Sequence, residues 1–226
     1  MQTKETQIKR AHNAEKILNG LFREGVKFEE DDVYVRLNAG EFDTLTTVIH
    51  QFNVQAGWWN DPTTGNFLGK ERDLDDVVCL IHSEISEALE GYRKNLQDDK
   101  LPHHPMLIVE LADTAIRCFD AIGGYAEDYR WTNKTPRRPE IDFAVAVRDK
   151  RITRCLNMLH GYTNATLFFK MRHDYTALRR TVVGCYYLAE NMGYNLTDII
   201  LEKVVFNAER ADHKLEERKK AGGKRI

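Results

Sequence analysis

Apolar residues recur at helical spacing through almost the whole chain, and only five prolines among 226 residues interrupt the pattern. Positions i, i+3, i+4 and i+7 carry apolar side chains in block after block, while strand-like alternation is scarce. A chain patterned in this way buries helix stripes against one another, so the expected fold class is all-α. Val33–Leu37, just before the Asn38-Ala39-Gly40 turn, is the one short piece that reads as extended. The length suits one large domain or two small ones, with ample apolar content for a core.

The breakers set the expected boundaries. Helices are predicted over residues 5–22 and 42–56, the second stopping at Gly57. A third starts at Leu74 with Asp73 as N-cap and an apolar stripe of Val77, Val78, Ile81, Ile85, Ala88, Leu89 and Tyr92. Pro105 suits the first turn of a fourth, which ends at Gly123-Gly124. A charged linker, EDYRWTNKTPRRPE, then leads to helices over 141–159 and 164–191, parted by His160-Gly161-Tyr162. The last helix starts near Thr197 or Asp198 and runs through Lys219.

Charge and cysteine usage exclude some classes of function. Lys plus Arg total 33 against 35 Asp plus Glu, a net charge of −2, which provides no global field for nucleic acid or a membrane surface. The basic C-terminal ERKKAGGKRI reads as a solvated helix end. Cys79, Cys118, Cys155 and Cys185 lie far apart among apolar residues, as small hydrophobes rather than disulfide partners. With no apolar leader at the N-terminus and no run of membrane-spanning length, the expected location is the cytoplasm.

The chemistry concentrates between His82 and Asp120. Glu84 and Glu87 stand three apart in HSEISEALEGYRK, and Glu110 and Asp113 stand three apart in MLIVELADTAIRCFD. Residues three apart on a helix are surface neighbours, so each pair can aim two carboxylates at one spot. Four hard oxygen ligands on consecutive helices suit Mg²⁺ rather than zinc. The same spacing also fits solvated helix faces. Glu84 falls about 70° from the centre of its apolar stripe and Glu90 about 170° away, which puts Glu84 at the margin of the core and Glu90 in water. Glu110, Asp113, Arg117 and Asp120 form a stripe opposite Leu111, Ala115, Phe119 and Ile122, the pattern of an ordinary surface helix unless another helix covers it, from the inserted region or a second subunit.

Three further features bear on a ligand. Lys203, Asn207, Arg210 and Lys214 share one face of the last helix, a set that suits phosphate oxygens or a solvated basic stripe. Trp58 and Trp59 offer flat aromatic area for stacking a base, with one of the pair expected in the core. His82 reads as a hydrogen-bonded structural histidine.

These blocks resemble a known family. Glu84-x-x-Glu87 followed by Glu110-x-x-Asp113 is similar to the signature of the MazG-like all-α nucleoside triphosphate pyrophosphohydrolases, of phage and bacterial type. AGWW before the first acidic helix, VELADTAIRCFD around the second and MGYNLTDIILEKVVFNAERADHK with its GGKRI tail look like the same family. The resemblance covers about residues 40–125 and 192–226. It implies a MazG-like four-helix-bundle core over 41–226, from which the chain departs by adding an N-terminal helix and arm at 1–40 and a two-helix insertion at about 126–191. It implies Mg²⁺ ligands at Glu84, Glu87, Glu110 and Asp113, with Mn²⁺ as a substitute. Lys203 and Asn207 would hold the triphosphate with Arg210 beside them, and Trp58 or Trp59 would contact the base. It also implies a homo-oligomer, dimer or tetramer, working in the host cytoplasm if phage-encoded.

The reaction expected from the resemblance is Mg²⁺-dependent hydrolysis of a nucleoside or deoxynucleoside triphosphate to the monophosphate and pyrophosphate, with Glu87 orienting or deprotonating the water. Two alternatives stand beside it. One is an HD-type metal phosphohydrolase built on His173-Asp174, for which His82, His103 and His104 are the upstream histidines. The other is a non-catalytic helical assembly or regulatory module whose acids form a solvated face.

Overall fold

The structure is a computed structural model that describes residues 39–126, 139–169 and 175–210, together with Glu217 and Lys220. The expected helix at 5–22, the extended piece at 33–37, most of the charged linker, His173, Asp174 and Lys214 lie outside the described residues.

Seven α-helices make up the described fold: α1 (Ala39–Gln55), α2 (Leu74–Lys94), α3 (Met106–Tyr125), α4 (Ile141–Arg148), α5 (Ile152–Phe169), α6 (Thr176–Asn191) and α7 (Leu196–Glu209). Among the described residues there is no strand beyond two isolated bridges, so the fold is all-α. No described helix is long and apolar enough to cross a membrane.

The ends follow local chemistry. Asp73 accepts a hydrogen bond from the Asp75 amide at 2.9 Å and starts α2, and Asn195 accepts from the Thr197 amide at 3.1 Å to start α7. Pro105, with no amide hydrogen to leave unpaired, is the N-cap of α3.

The bundle is built around α3. Fifteen of its 20 residues are buried, and α1, α2, α6 and α7 all pack on it. A helix apolar on nearly every side is a central one. The expected surface helix is therefore corrected: Glu110 and Asp120 are buried, and Asp113 and Arg117 are half-buried. Within this chain α2 and α7 cover the middle of the stripe through Glu84 and Lys203, and His50, Trp59 and Arg72 cover Asp120. Outside this centre, α5 packs on α2 and α6, and one continuous core runs from Phe42 to Val204.

Several other boundaries differ from expectation. α5 passes straight through His160-Gly161-Tyr162, because Leu159 and Thr163 bury on either side and packing offsets the roughly 1 kcal/mol cost of a mid-helix glycine. The real break falls at Asp149-Lys150-Arg151, where Lys150 takes a left-handed φ of 54°. Leu89 and Tyr92 are exposed, while Ala88 and Gly91 beside them are buried. α3 continues through Gly123-Gly124 to Tyr125. A Cβ on Gly124 would lie 1.9 Å from the Trp59 ring, so this glycine serves packing rather than helix termination. Helix α7 ends at Glu209, with Arg210 already extended, instead of running unbroken to Lys219.

Candidate active site

Helices α2 and α3 lie side by side, and α7 closes on α3. Gly91 permits the close approach of the first pair, since a Cβ there would sit 2.8 Å from the Leu107 amide nitrogen. Between the three helices opens a cavity of about 410 Å³. Glu84, Glu87, Glu110, Asp113, Lys203, Asn207, Arg210 and Trp58 all line it.

Three of the four expected acids meet, while Asp113 lines the same cavity but is paired with Lys203. Glu84, Glu87 and Glu110 each bring one carboxylate oxygen within 4.8 Å of the others. Glu84 sits inside the buried stripe of α2, between Ile81 and Ala88, while Glu87 is exposed one turn on. Glu90 points elsewhere and pairs with Arg93 at 2.7 Å and with Lys94. Two cations already reach into the cluster: Arg117 Nε donates to Glu84 Oε1 at 2.5 Å, and Lys203 Nζ lies 2.7 Å from Asp113 Oδ2.

Electrostatic strain accompanies this gathering. Burial first, then the charges of Asp113 and Glu84, push the Glu110 carboxyl up to about 9. Burial also raises Asp113, to about 6, against the pull of Lys203. Glu87 is raised as well, by desolvation and by Glu84. Burial works against the Lys203 ammonium, yet Asp113 beside it holds its pKa above the ordinary lysine value.

Among the described residues, three of the buried atoms without a hydrogen-bond partner belong to side chains that line the cavity: Arg72 Nη1, Glu110 Oε2 and Asn207 Oδ1. A buried carboxylate oxygen left unpaired costs more than a kilocalorie per mole unless something else satisfies it. Hard oxygens clustered around an orphaned carboxylate fit a hard divalent cation such as Mg²⁺.

Trp58 and Trp59 divide as the aromatic pair allows. Trp58 lines the cavity, half-buried, while Trp59 is fully buried and does not line it. The Trp59 ring packs edge-on against His50 at 4.8 Å and tilted against Tyr125 at 5.2 Å. Its Nε1 donates to Asp120 Oδ1 at 2.8 Å, and the Arg72 guanidinium lies 5.0 Å above the ring. As a base contact Trp59 is corrected to a core residue.

The histidines of the HD alternative do not converge. His82 stacks on His160 with the two Nδ1 atoms 2.7 Å apart, whereas His103 and His104 both turn toward Glu202. Residues that the motif reasoning missed also wall the cavity: Asn53, Arg72, Lys100, Arg117 and Asp120. Arg117 was within reach as the i+4 partner of Asp113 on the acidic stripe, and Asn53 in FNVQ carried no signal. No family profile matches the chain, and no curated protein or solved structure matches it either.

Proposed function

We propose that this cavity hydrolyses nucleoside or deoxynucleoside triphosphates to the monophosphate and pyrophosphate, with Mg²⁺ as cofactor. The observation that carries the reading is one cavity with a carboxylate cluster on one wall and Lys203, Asn207 and Arg210 on another. Every one of these side chains comes from a single chain, so the constellation needs no second subunit to assemble.

Glu84, Glu87 and Glu110 would hold the cation, with Asp113 adjoining. When bound, Mg²⁺ supplies charge neutralisation at the phosphate oxygens and lowers the pKa of a coordinated water. Lys203, steered by Asp113, and Arg210 give the leaving pyrophosphate a point charge and a fork. Asn207 presents an amide whose buried oxygen awaits a partner. Trp58 offers its face to the base. Glu87, exposed and raised in pKa, is the carboxylate that orients the water and takes its proton.

The test is a nucleotide panel with Mg²⁺, scored by pyrophosphate release and by the identity of the monophosphate. Pyrophosphate with a monophosphate is the expected outcome, and orthophosphate with a diphosphate overturns the reaction type. Glu84→Ala should abolish release while the circular dichroism stays helical, and normal turnover in that variant would sink the site assignment. An untouched panel with no Mg²⁺ binding would leave the non-catalytic helical module as the better account.

A further inference from the structure

We infer that His103, His104 and Glu202 form a second cation site, one for a borderline transition metal such as Zn²⁺, that ties the α2–α3 loop to α7. Glu202 Oε2 lies 3.1 Å from His103 Nε2 and 3.2 Å from His104 Nε2. The three ligand atoms are all within 4.8 Å of one another. Tetrahedral bonds of about 2.0–2.1 Å place their donors roughly 3.3 Å apart, so the His–Glu separations need change by only a few tenths of an ångström to admit an ion.

The loop that carries the two histidines is held by its own backbone. Asp98 is buried and its Oδ1 accepts from the amides of Lys100 at 3.0 Å and Leu101 at 2.7 Å. The His104 amide donates to the Leu101 carbonyl at 2.9 Å, and the Asp98 amide donates to the His104 carbonyl at 3.0 Å. Buried Leu101 anchors the turn in the core. The imidazoles are thus positioned before any ion arrives, which lowers the ordering cost of binding. Side-chain exposures of 50% for His103, 21% for His104 and 38% for Glu202 leave a route in and a place for a water as fourth ligand.

The donor chemistry separates this site from the cavity. Two imidazole nitrogens and a carboxylate suit Zn²⁺, Ni²⁺ or Cu²⁺, whereas the all-oxygen cluster of Glu84, Glu87 and Glu110 suits Mg²⁺ or Mn²⁺. The two sites are joined mechanically, since Lys100 of the same loop lines the cavity and Glu202 immediately precedes Lys203. A rival account has two neutral imidazoles simply donating hydrogen bonds to one carboxylate, and it predicts no dependence on metal.

The experiment uses the full untagged chain, stripped with a chelator and titrated with Zn²⁺ against a chromophoric competitor in excess Mg²⁺. The wild type should take up one equivalent, and Zn²⁺ should raise its melting temperature. Loss of even an outer-shell partner typically costs about tenfold in metal affinity, so His103→Ala and Glu202→Gln should each lose at least about tenfold and show no thermal response. His103 is half exposed, so its removal does not threaten the fold. Glu84→Gln should keep the zinc. No zinc uptake by the wild type, or equal uptake by His103→Ala and Glu202→Gln, overturns the inference. Loss of zinc in Glu84→Gln with retention in His103→Ala would overturn it too, by placing the ion in the carboxylate cluster.

Discussion

Glu110 and Asp120 stand on the same helix and the same stripe, and both are nearly buried, at 4% and 7% exposure. Their surroundings are opposite. Asp120 Oδ1 accepts from Trp59 Nε1 at 2.8 Å and faces His50 Nδ1 at 2.9 Å, while Oδ2 lies 3.5 Å from Arg72. Glu110 Oε2 has no hydrogen-bond partner among the described residues, and like charges crowd the carboxylate. Asp120 finds its partners within the fold, whereas Glu110 lies at the end where the cation is proposed to bind.

Four substitutions can break or sharpen this contrast. Trp59→Ala, at the satisfied end, should cost about 3–5 kcal/mol in chemical denaturation, as expected for emptying a large core side chain. Asp120→Ala should cost about 3 kcal/mol, because it strands the Arg72 charge and the Trp59 donor. If that variant melts like the wild type, the satisfied end is not satisfied by Asp120. Glu110→Gln, at the open end, should lower Mg²⁺-dependent pyrophosphate release at least about 100-fold. In the metal-free protein above neutral pH the same change should add about 1–2 kcal/mol of stability. Trp58→Ala should have the smallest effect, a KM rise of about tenfold for the nucleotide, with a smaller melting shift than Trp59→Ala.

The sign of the pH effect follows from the direction of the shift. Glu110 is raised from 4.5 to about 9, so between those values the folded chain holds a proton that the unfolded chain has released. Stability of the metal-free protein therefore falls as pH rises through that window, and Glu110→Gln should flatten the fall. Cation binding needs the deprotonated carboxylate, so Mg²⁺ affinity should climb over the same range. A thermal melt series with and without Mg²⁺ reads both slopes. Parallel slopes for wild type and Glu110→Gln would remove Glu110 from the account.

How much of this could be read from residues alone depended on how local the cause was. Asp73 capping α2 is local and is where the sequence puts it; of the i, i+3 acids, Glu84, Glu87 and Glu110 meet, while Asp113 pairs with Lys203. The break at Lys150 is also local, but a lysine in a left-handed conformation carries no compositional sign, whereas Gly161 carried a false one. The status of α3 was hidden because its polar stripe looks solvated until α2 and α7 are known to supply Arg117's partner Glu84 and Lys203. Asn53 and Lys100 reach the cavity from elements distant in sequence, and only packing brings them there.

The 1.9 Å gap between a virtual Gly124 Cβ and the Trp59 ring ties two positions into one heritable unit. Ordinarily a glycine within a helix, replaced by alanine, gains up to about 1 kcal/mol. Here Gly124→Ala alone should be destabilising, yet turn neutral or favourable once Trp59→Leu has cleared the space. The expected non-additivity is about 1–3 kcal/mol in a double-mutant cycle. Drift at Gly124 is thus blocked until Trp59 moves, and a lineage that lost the tryptophan would be free to lose the glycine.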